Sequence, residues 1–316
     1  MLYRRKELST FAKSSTLSKY IRIGTRGSKL ALWQAHKVEA ELLSLGFNCG
    51  LEIIKTQGDR VQDLGFDKLE GKGFFTKEIE EALLEAKIDV AVHSLKDLPT
   101  LQPNGLCLAG LSERADARDI LLIRTEITDE NGIYGLPKGA NIGTSSLRRQ
   151  TQILDLVPDT VVTGLRGNVP TRVNKLREGH YDAIILAAAG IERLELDLSD
   201  LISKKLHPRE FVPAPAQGII GYQVREDDHE MRRIIKLIHH PQTASRSNVE
   251  RQVLRMMDGG CQMPLGVYCE KDGVGNYHVH AAFAADANTP LTRANISQST
   301  QAGLAERMVE KLREEK

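Results

Sequence analysis

Aromatic residues make up only 5% of this 316-residue chain, there is a single tryptophan, and neither charge sign dominates: the formal net charge is +1. A balance this near neutrality gives no general electrostatic pull toward nucleic acid or an anionic membrane. Long apolar runs are missing too. The longest, at 183–189, has the length of a buried strand and its exit, well short of the about 20 residues a spanning helix needs. Cysteine is scarce. Cys49, Cys107, Cys261 and Cys269 show no C-x-x-C spacing, which argues against a zinc knuckle or a disulfide framework and fits a reducing compartment. Phosphate-binding signatures are absent: there is no G-x-x-x-x-G-K-[ST] loop and no G-x-G-x-x-G turn.

What is present is a repeated α/β grammar in a chain long enough for two or three domains. Ile21-Arg22-Ile23-Gly24-Thr25 predicts a strand and turn. Ser28 and Lys29 then open a helix whose Ala31, Ala35, Val38, Leu42 and Leu45 recur at helical spacing. Ala140-Asn141-Ile142-Gly143-Thr144 repeats the strand and turn, and Ser145-Ser146-Leu147-Arg148-Arg149 opens a second helix. Each Ile-Gly-Thr thus delivers hydroxyls and cations to a helix start. Further on, Phe75, Ile79, Leu83 and Ala86 make a helical stripe before the buried strand Asp89-Val90-Ala91-Val92; a helix over 169–177 precedes the matching strand 182–186. Short apolar strands alternating with helices predict parallel β-α-β units in two similar lobes. Pro213-Ala214-Pro215-Ala216-Gln217-Gly218 breaks the pattern as a crossing or hinge. Beyond Pro241 the sequence predicts a helix, a Gly259-Gly260-Cys261 loop, strands at 265–269 and 277–283, and a charged helix to the end, which is a small α+β domain.

In open α/β sheets ligands gather beyond the carboxyl ends of the strands. Arg26 and Ser28 fall at such an exit, as do Lys96 and Asp97, Ser145, Ser146, Arg148 and Arg149, and, just past 186, Arg193. Arg166 and Arg172 flank Asn168, an N-cap candidate with Pro170 in the first turn. Guanidiniums grip carboxylates in bidentate fashion, so the substrate should carry several carboxylates or phosphates, and the missing phosphate-loop signatures favour carboxylates. The plain alternative is that each arginine forms a surface ion pair. Asp97 is the one acid in this cationic set, suited to exchanging a proton or facing a developing cation, or else to capping a turn before Pro99. His93 reads as a core histidine satisfied by backbone. His278 and His280 share a strand face, solvated or metal-binding, and no third ligand lies nearby in sequence. Cys49, Cys107 and Cys269 read as buried thiols. Cys261 follows two glycines, where backbone can approach a bulky group; it is open to chemistry, to attachment, or to no role at all.

These motifs together resemble the porphobilinogen deaminase (hydroxymethylbilane synthase) family. The resemblance rests on Ile23-Gly24-Thr25-Arg26-Gly27-Ser28-Lys29-Leu30-Ala31-Leu32-Trp33-Gln34-Ala35, Gly71-Lys72-Gly73-Phe74-Phe75 and His93-Ser94-Leu95-Lys96-Asp97-Leu98-Pro99. It continues through Gly143-Thr144-Ser145-Ser146-Leu147-Arg148-Arg149, Leu165-Arg166-Gly167-Asn168-Val169 and Gly259-Gly260-Cys261. It implies two lobes like periplasmic binding proteins plus a small α+β domain. It also implies a transferase that assembles four porphobilinogen units into linear hydroxymethylbilane with release of ammonia. Cys261 would hold a dipyrromethane cofactor by a thioether. Asp97 would be the catalytic acid, protonating the departing amine and stabilising the cationic azafulvene. Lys72, Lys96, Ser145, Ser146, Arg148, Arg149, Arg166 and Arg172 would hold the cofactor. Arg26, Ser28, Gln34, Phe75 and Arg193 would meet substrate, joined by Arg149, Arg166 and Arg172. Lys68 would join the anion network from a variable loop at 62–70. No metal is implied.

The expected domains are lobe 1 at 20–114 with 217–238, lobe 2 at 115–216, and the cofactor-bearing domain at 239–316. Residues 1–19, with Arg4, Arg5, Lys6, Lys13 and Lys19 against Glu7 alone, are expected to form a disordered basic extension, or an organelle transit segment. The expected setting is a cytoplasmic monomer acting on a small molecule. Two rivals stand: a non-catalytic two-lobed anion-binding module, and an enzyme using Cys261 as a turnover nucleophile, which lacks a recognisable histidine partner.

Overall fold

The computed structural model describes residues 20–56, 76–258, 263–286 and 289–314. Its strands, in chain order, are β1 (Ile21–Thr25), β2 (Cys49–Ile53), β3 (Val90–Ser94), β4 (Leu106–Leu111), β5 (Asp119–Arg124), β6 (Asn141–Gly143), β7 (Val161–Thr163), β8 (Ala183–Ala187), β9 (Leu201–Lys205), β10 (Ile220–Arg225), β11 (Leu265–Lys271), β12 (Tyr277–Phe283) and β13 (Thr292–Gln298). The helices are α1 (Lys29–Ser44), α2 (Lys77–Leu84), α3 (Leu147–Leu156), α4 (Val169–Arg177), α5 (Ala188–Arg193), α6 (His229–Leu237), α7 (Pro241–Met256) and α8 (Leu304–Glu314). The chain divides into two compact units. The first holds the described residues up to Glu113 with Ile220–Pro241; the second holds Arg114–Ile219 and the described residues from Gln242 on.

The first unit carries one five-stranded sheet, ordered β2-β1-β3-β10-β4. Strand β1 runs parallel to β2 and β3, whereas β10 runs antiparallel to β3 and β4. In the second unit the order β7-β6-β8-β5-β9 reproduces that plan, with β6 parallel to β7 and β8 and β5 antiparallel to β8 and β9. The expected parallel pairing therefore holds for two strand pairs of each sheet and fails for the two pairs made by its one reversed strand, β10 or β5. A helical crossover makes neighbours parallel; β10 enters from the other unit's chain segment, and β5 precedes its partners.

The duplication reaches individual atoms. Ile23 pairs with Val90 and Gly24 with Ala91, as Ile142 pairs with Ala183 and Gly143 with Ile184. Asp89 Oδ2 accepts from the Arg22 amide at 3.0 Å, and Asp182 Oδ2 accepts from the Asn141 amide at 2.8 Å. Both glycines let a side chain approach closely: a Cβ on Gly24 would lie 2.2 Å from Ile88 Cδ1, and one on Gly143 would lie 2.7 Å from Tyr181 Cδ1, so either would force that side chain to shift.

Helix α1 shows why the local sequence folds as it does. The Ser28 hydroxyl accepts from the Ala31 amide at 3.4 Å, capping the first turn. Ala35, Val38 and Leu42 then recur on the face buried with Ile21, Ile23, Val90 and Val92. Gly46, at φ +87, ends the helix in the left-handed conformation that favours glycine. Asn168 caps α4 as its sequence predicts, accepting from the Thr171 amide at 3.0 Å.

The C-terminal part of the second unit is an antiparallel β11-β12-β13 sheet. Val249 and Val253 of α7 and Met308, Val309 and Leu312 of α8 share a core with Val267, Cys269, Val279 and Ala281. Strand β13 is absent from the sequence expectation. Its Thr-Arg-Ala-Asn-Ile-Ser-Gln run offers only Ala294 and Ile296 toward that core, too few apolar positions for an alternation signal.

Candidate functional site

In the first unit the side chains of interest cluster at the carboxyl ends of β1 and β3. Arg26 and Ser28, both half-buried, lie between β1 and α1. Gln34 is not presented to solvent. It is buried, and its Nε2 donates to Ser94 Oγ at 2.8 Å. Ser94 ends β3, and the next three residues form a 3-10 turn, Leu95–Asp97. Leu95 and Leu98 are buried on either side of it, so the turn is held by its apolar residues while Asp97 stays exposed and Lys96 half-buried.

His93 departs from expectation. It is buried as foreseen, but its partner is a side chain: Nε2 lies 3.1 Å from Gln223 Oε1 on the adjacent β10. Because that amide oxygen accepts, the ring proton is assigned to Nε2. Burial pushes the ring down to about 4, the bond to Gln223 opposing and the Arg26 charge adding to the fall. A histidine kept neutral in the fold takes up its proton more readily when unfolded. Its contribution to stability is therefore present above pH 6.5 and is lost as pH falls toward 4. Urea titrations should find this group's contribution roughly 2 kcal/mol smaller at pH 5 than at pH 7, a loss missing from His93→Asn. Identical pH dependence in both proteins would refute it.

In the second unit the sequence-predicted residues gather around two loops. Ser145 Oγ donates to the Leu165 carbonyl at 2.7 Å, tying the exit of β6 to the loop before α4. Arg172 Nε donates to the Gly167 carbonyl at 2.7 Å, and Lys175 Nζ reaches the Arg166 carbonyl at 3.3 Å. Ser145, Arg166 and Arg172 are thus assembled by backbone contacts of one segment. Ser146 precedes α3 without a side-chain cap bond of its own. Arg193, at the end of α5, is buried and donates from Nη2 to the Gly218 carbonyl at 2.7 Å.

Arg148 and Arg149 lie deeper than surface ion pairs would. They are 4% and 6% exposed and converge on Asp119, which is fully buried at the start of β5. Arg148 Nη1 reaches Asp119 Oδ2 at 2.8 Å and the Val212 carbonyl at 2.8 Å. Arg149 Nη2 reaches Asp119 Oδ1 at 2.7 Å, and its Nη1 reaches the Ile185 carbonyl at 3.0 Å. Gln217 Nε2 adds a third donor to Asp119 at 3.0 Å. Burial opposes the Asp119 charge, but the two guanidiniums and Gln217 outweigh it and hold the carboxyl well below the usual range. Sequence reading missed both Asp119 and Gln217. One signal was available: an acid leading an apolar run (Asp119-Ile120-Leu121-Leu122-Ile123) repeats the pattern of Asp89 and Asp182.

A second buried carboxylate, Glu250 of α7, accepts from Arg114 Nη1 at 2.6 Å, the Ala216 amide at 2.7 Å and the Cys269 amide at 2.8 Å. It binds the 213–218 segment, read from sequence as a crossing or hinge, to the C-terminal sheet. Cys269 is a buried thiol, pushed up to about 12 by burial and then by Glu250; Cys49 is buried and Cys107 only half-buried. His278 lies 3.0 Å from Asp272 and 2.7 Å from Ser297, and His280 lies 3.7 Å from Glu270. Among the described residues no three His, Cys, Asp or Glu side chains are grouped to hold a metal ion, and no helix is long and apolar enough to cross a membrane. Lys68, Lys72, Phe75 and Cys261 fall outside the described residues.

Comparison with known proteins gives this geometry a context. Residues 21–233 match the family model described as porphobilinogen deaminase, dipyromethane cofactor binding domain, and residues 244–315 match the porphobilinogen deaminase C-terminal domain. A porphobilinogen deaminase of Syntrophobacter fumaroxidans is 46% identical over 248 residues, 78% of each chain. That of Gloeobacter violaceus is 43% identical over 281 residues, 88% of this chain and 85% of the relative. Among solved structures, a periplasmic domain of a Bordetella pertussis protein is similar at 11% identity and a TM-score of 0.41, covering 78% of this chain and 96% of that one.

Proposed function

We propose the following division of labour for this chain, which belongs to the porphobilinogen deaminase family. The protein is a transferase that joins four porphobilinogen units into linear hydroxymethylbilane, releasing ammonia at each addition, on a protein-bound dipyrromethane. When bound, the dipyrromethane would supply the free terminal pyrrole carbon that accepts the first unit, each later unit joining the one before it. The residues fit such a group. Two guanidiniums share one carboxylate at Asp119, which leaves a buried surplus of positive charge. An uncompensated buried charge is strongly unfavourable, and the acetate and propionate groups carried by each pyrrole unit are the anions that would neutralise it.

The site reading rests chiefly on this observation of Arg148 and Arg149 on Asp119. Arg148, Arg149, Arg166, Arg172, Lys96, Ser145 and Ser146 hold cofactor carboxylates, with Lys72, and Cys261 is the attachment point. Arg26, Ser28, Arg193 and Phe75, with Arg149, Arg166 and Arg172, orient the incoming carboxylates. Gln34 serves through Ser94, to which it is bonded. Asp97 holds a proton for the departing amine nitrogen and then, as carboxylate, faces the positive charge left on the pyrrole. The same reading assigns domains at 20–114 with 217–238, at 115–216 and at 239–316, and a monomer working in the cytoplasm. A non-catalytic anion-binding module would need neither a thiol anchor nor an exposed acid on a fixed turn.

Intact-protein mass tests the attachment. Purified protein should carry an adduct of two pyrrole units that maps to Cys261 and is missing from Cys261→Ser, which should also fail to release ammonia. An active enzyme of unmodified mass would overturn the assignment.

A further inference from the structure

The Leu95–Asp97 turn is gripped at both ends by side-chain amides, Gln34 buried and Gln102 half-buried. At its start, Gln34 holds Ser94. Beyond its end, Gln102 Nε2 donates to the Pro99 carbonyl at 2.8 Å. Gln102 is itself held: its Oε1 accepts from Gln223 Nε2 at 2.8 Å. Gln223 is 0% exposed, and it also donates to Glu80 Oε1 at 3.2 Å and accepts from His93 Nε2. The Gln223 amide is thus committed to Glu80 and Gln102, so Gln102 cannot move away without leaving a donor of the buried Gln223 short of an acceptor. Leu95 packs over Gly221 of β10, its Cδ1 using the space that a Cβ there would take.

We propose that Gln102 and Gln223, braced by His93 and Glu80, are positioning residues for the reaction: they fix the Pro99 end of the turn and with it the placement of the Asp97 carboxylate. The turn's backbone is held by side chains that are buried or half-buried, whereas its acid is exposed. Such an arrangement suits a group that must meet a series of lengthening substrates with one geometry, since proton transfer needs heavy atoms within about 3 Å. The proposal rests on the reading of Asp97 as the acid.

The test uses cofactor-loaded enzyme. Gln102→Met keeps the side-chain length and removes both hydrogen bonds. Gln102→Glu keeps an acceptor for Gln223, removes the donation to Pro99 and places a second carboxylate near Glu80. Both should lower kcat for ammonia release at least roughly tenfold, as expected for a displacement of an ångström or less. KM and the adduct mass should stay near wild type, and thermal unfolding should stay cooperative with Tm lower by only a few degrees. In an Asp97→Glu background, where the carboxylate is already displaced, Gln102→Met should lower kcat further by less than about threefold, because the two changes act on one contact. Wild-type kcat in Gln102→Met, or an undiminished tenfold loss in the Asp97→Glu background, overturns the clamp while leaving Asp97 in its role. Wild-type turnover by Asp97→Asn overturns the reading of Asp97 instead, and the two failures are separate.

Discussion

Asp97→Asn is expected to retain its adduct on Cys261 when loaded with cofactor and to lose turnover, with kcat for ammonia release lower by roughly 10² to 10⁴. The amide matches the carboxyl in shape, so the 3-10 turn survives: its hold comes from buried Leu95 and Leu98 and from the Gln34 and Gln102 bonds, none of which involves the Asp97 side chain. What disappears is a group that can carry a proton and then bear negative charge toward a cation. Substrate affinity should change little, because the carboxylate-binding cations are other residues. Single-turnover ammonia release, read beside the equilibrium affinity for porphobilinogen, separates the two quantities. A variant with unchanged kcat would remove Asp97 from the chemistry.

Asp119→Ala is expected to have the largest effect on stability. It strands two guanidiniums that are 4% and 6% exposed, leaving them their hydrogen bonds to the Val212 and Ile185 carbonyls. Removing one partner of a buried ion pair typically destabilises by 3–5 kcal/mol, and here one carboxylate serves two cations. For a protein of this size that corresponds to a fall in Tm of roughly 10 °C, and adduct formation at Cys261 should fall with it. Asp119→Asn keeps an acceptor but no charge and should lie between the two. The same logic fixes a pH trend. With the Asp119 carboxyl held low by its arginines, its contribution is present at neutral pH and is lost as acid protonates it. Calorimetry showing an Asp119→Ala melt within 2 °C of wild type, a margin of about 1 kcal/mol, would contradict the account of the buried pair.

The lobes were legible because their signals are local. Ser28 and Asn168 announce helix starts within three residues of their partners, and the two Ile-Gly-Thr turns place cations at equivalent strand exits. Of the strands that sequence reading overlooked, β5 and β10 depend on pairing with distant segments, whereas β13, which pairs with its neighbour β12, has hardly any apolar alternation to betray it. The site divides the same way. Residue types at strand exits pointed to a polycarboxylate ligand, but nothing in Arg148-Arg149 names a carboxylate 29 and 30 residues earlier as their shared partner. Nor does His93 disclose Gln223, 130 residues away. Hydrogen bonds of that span are set by topology, which short motifs do not encode.

The strand order also bears on how the chain matures during synthesis. The first unit's sheet is completed by β10, at Ile220–Arg225, whereas β5 through β9 of the second unit are all present once Lys205 has been made. β3 must therefore wait, with the edge that β10 will cover still open, while more than a hundred later residues emerge. The lobe encoded first is the lobe finished second. Its exposed hydrogen-bonding edge makes that interval the stage of biogenesis most open to mispairing.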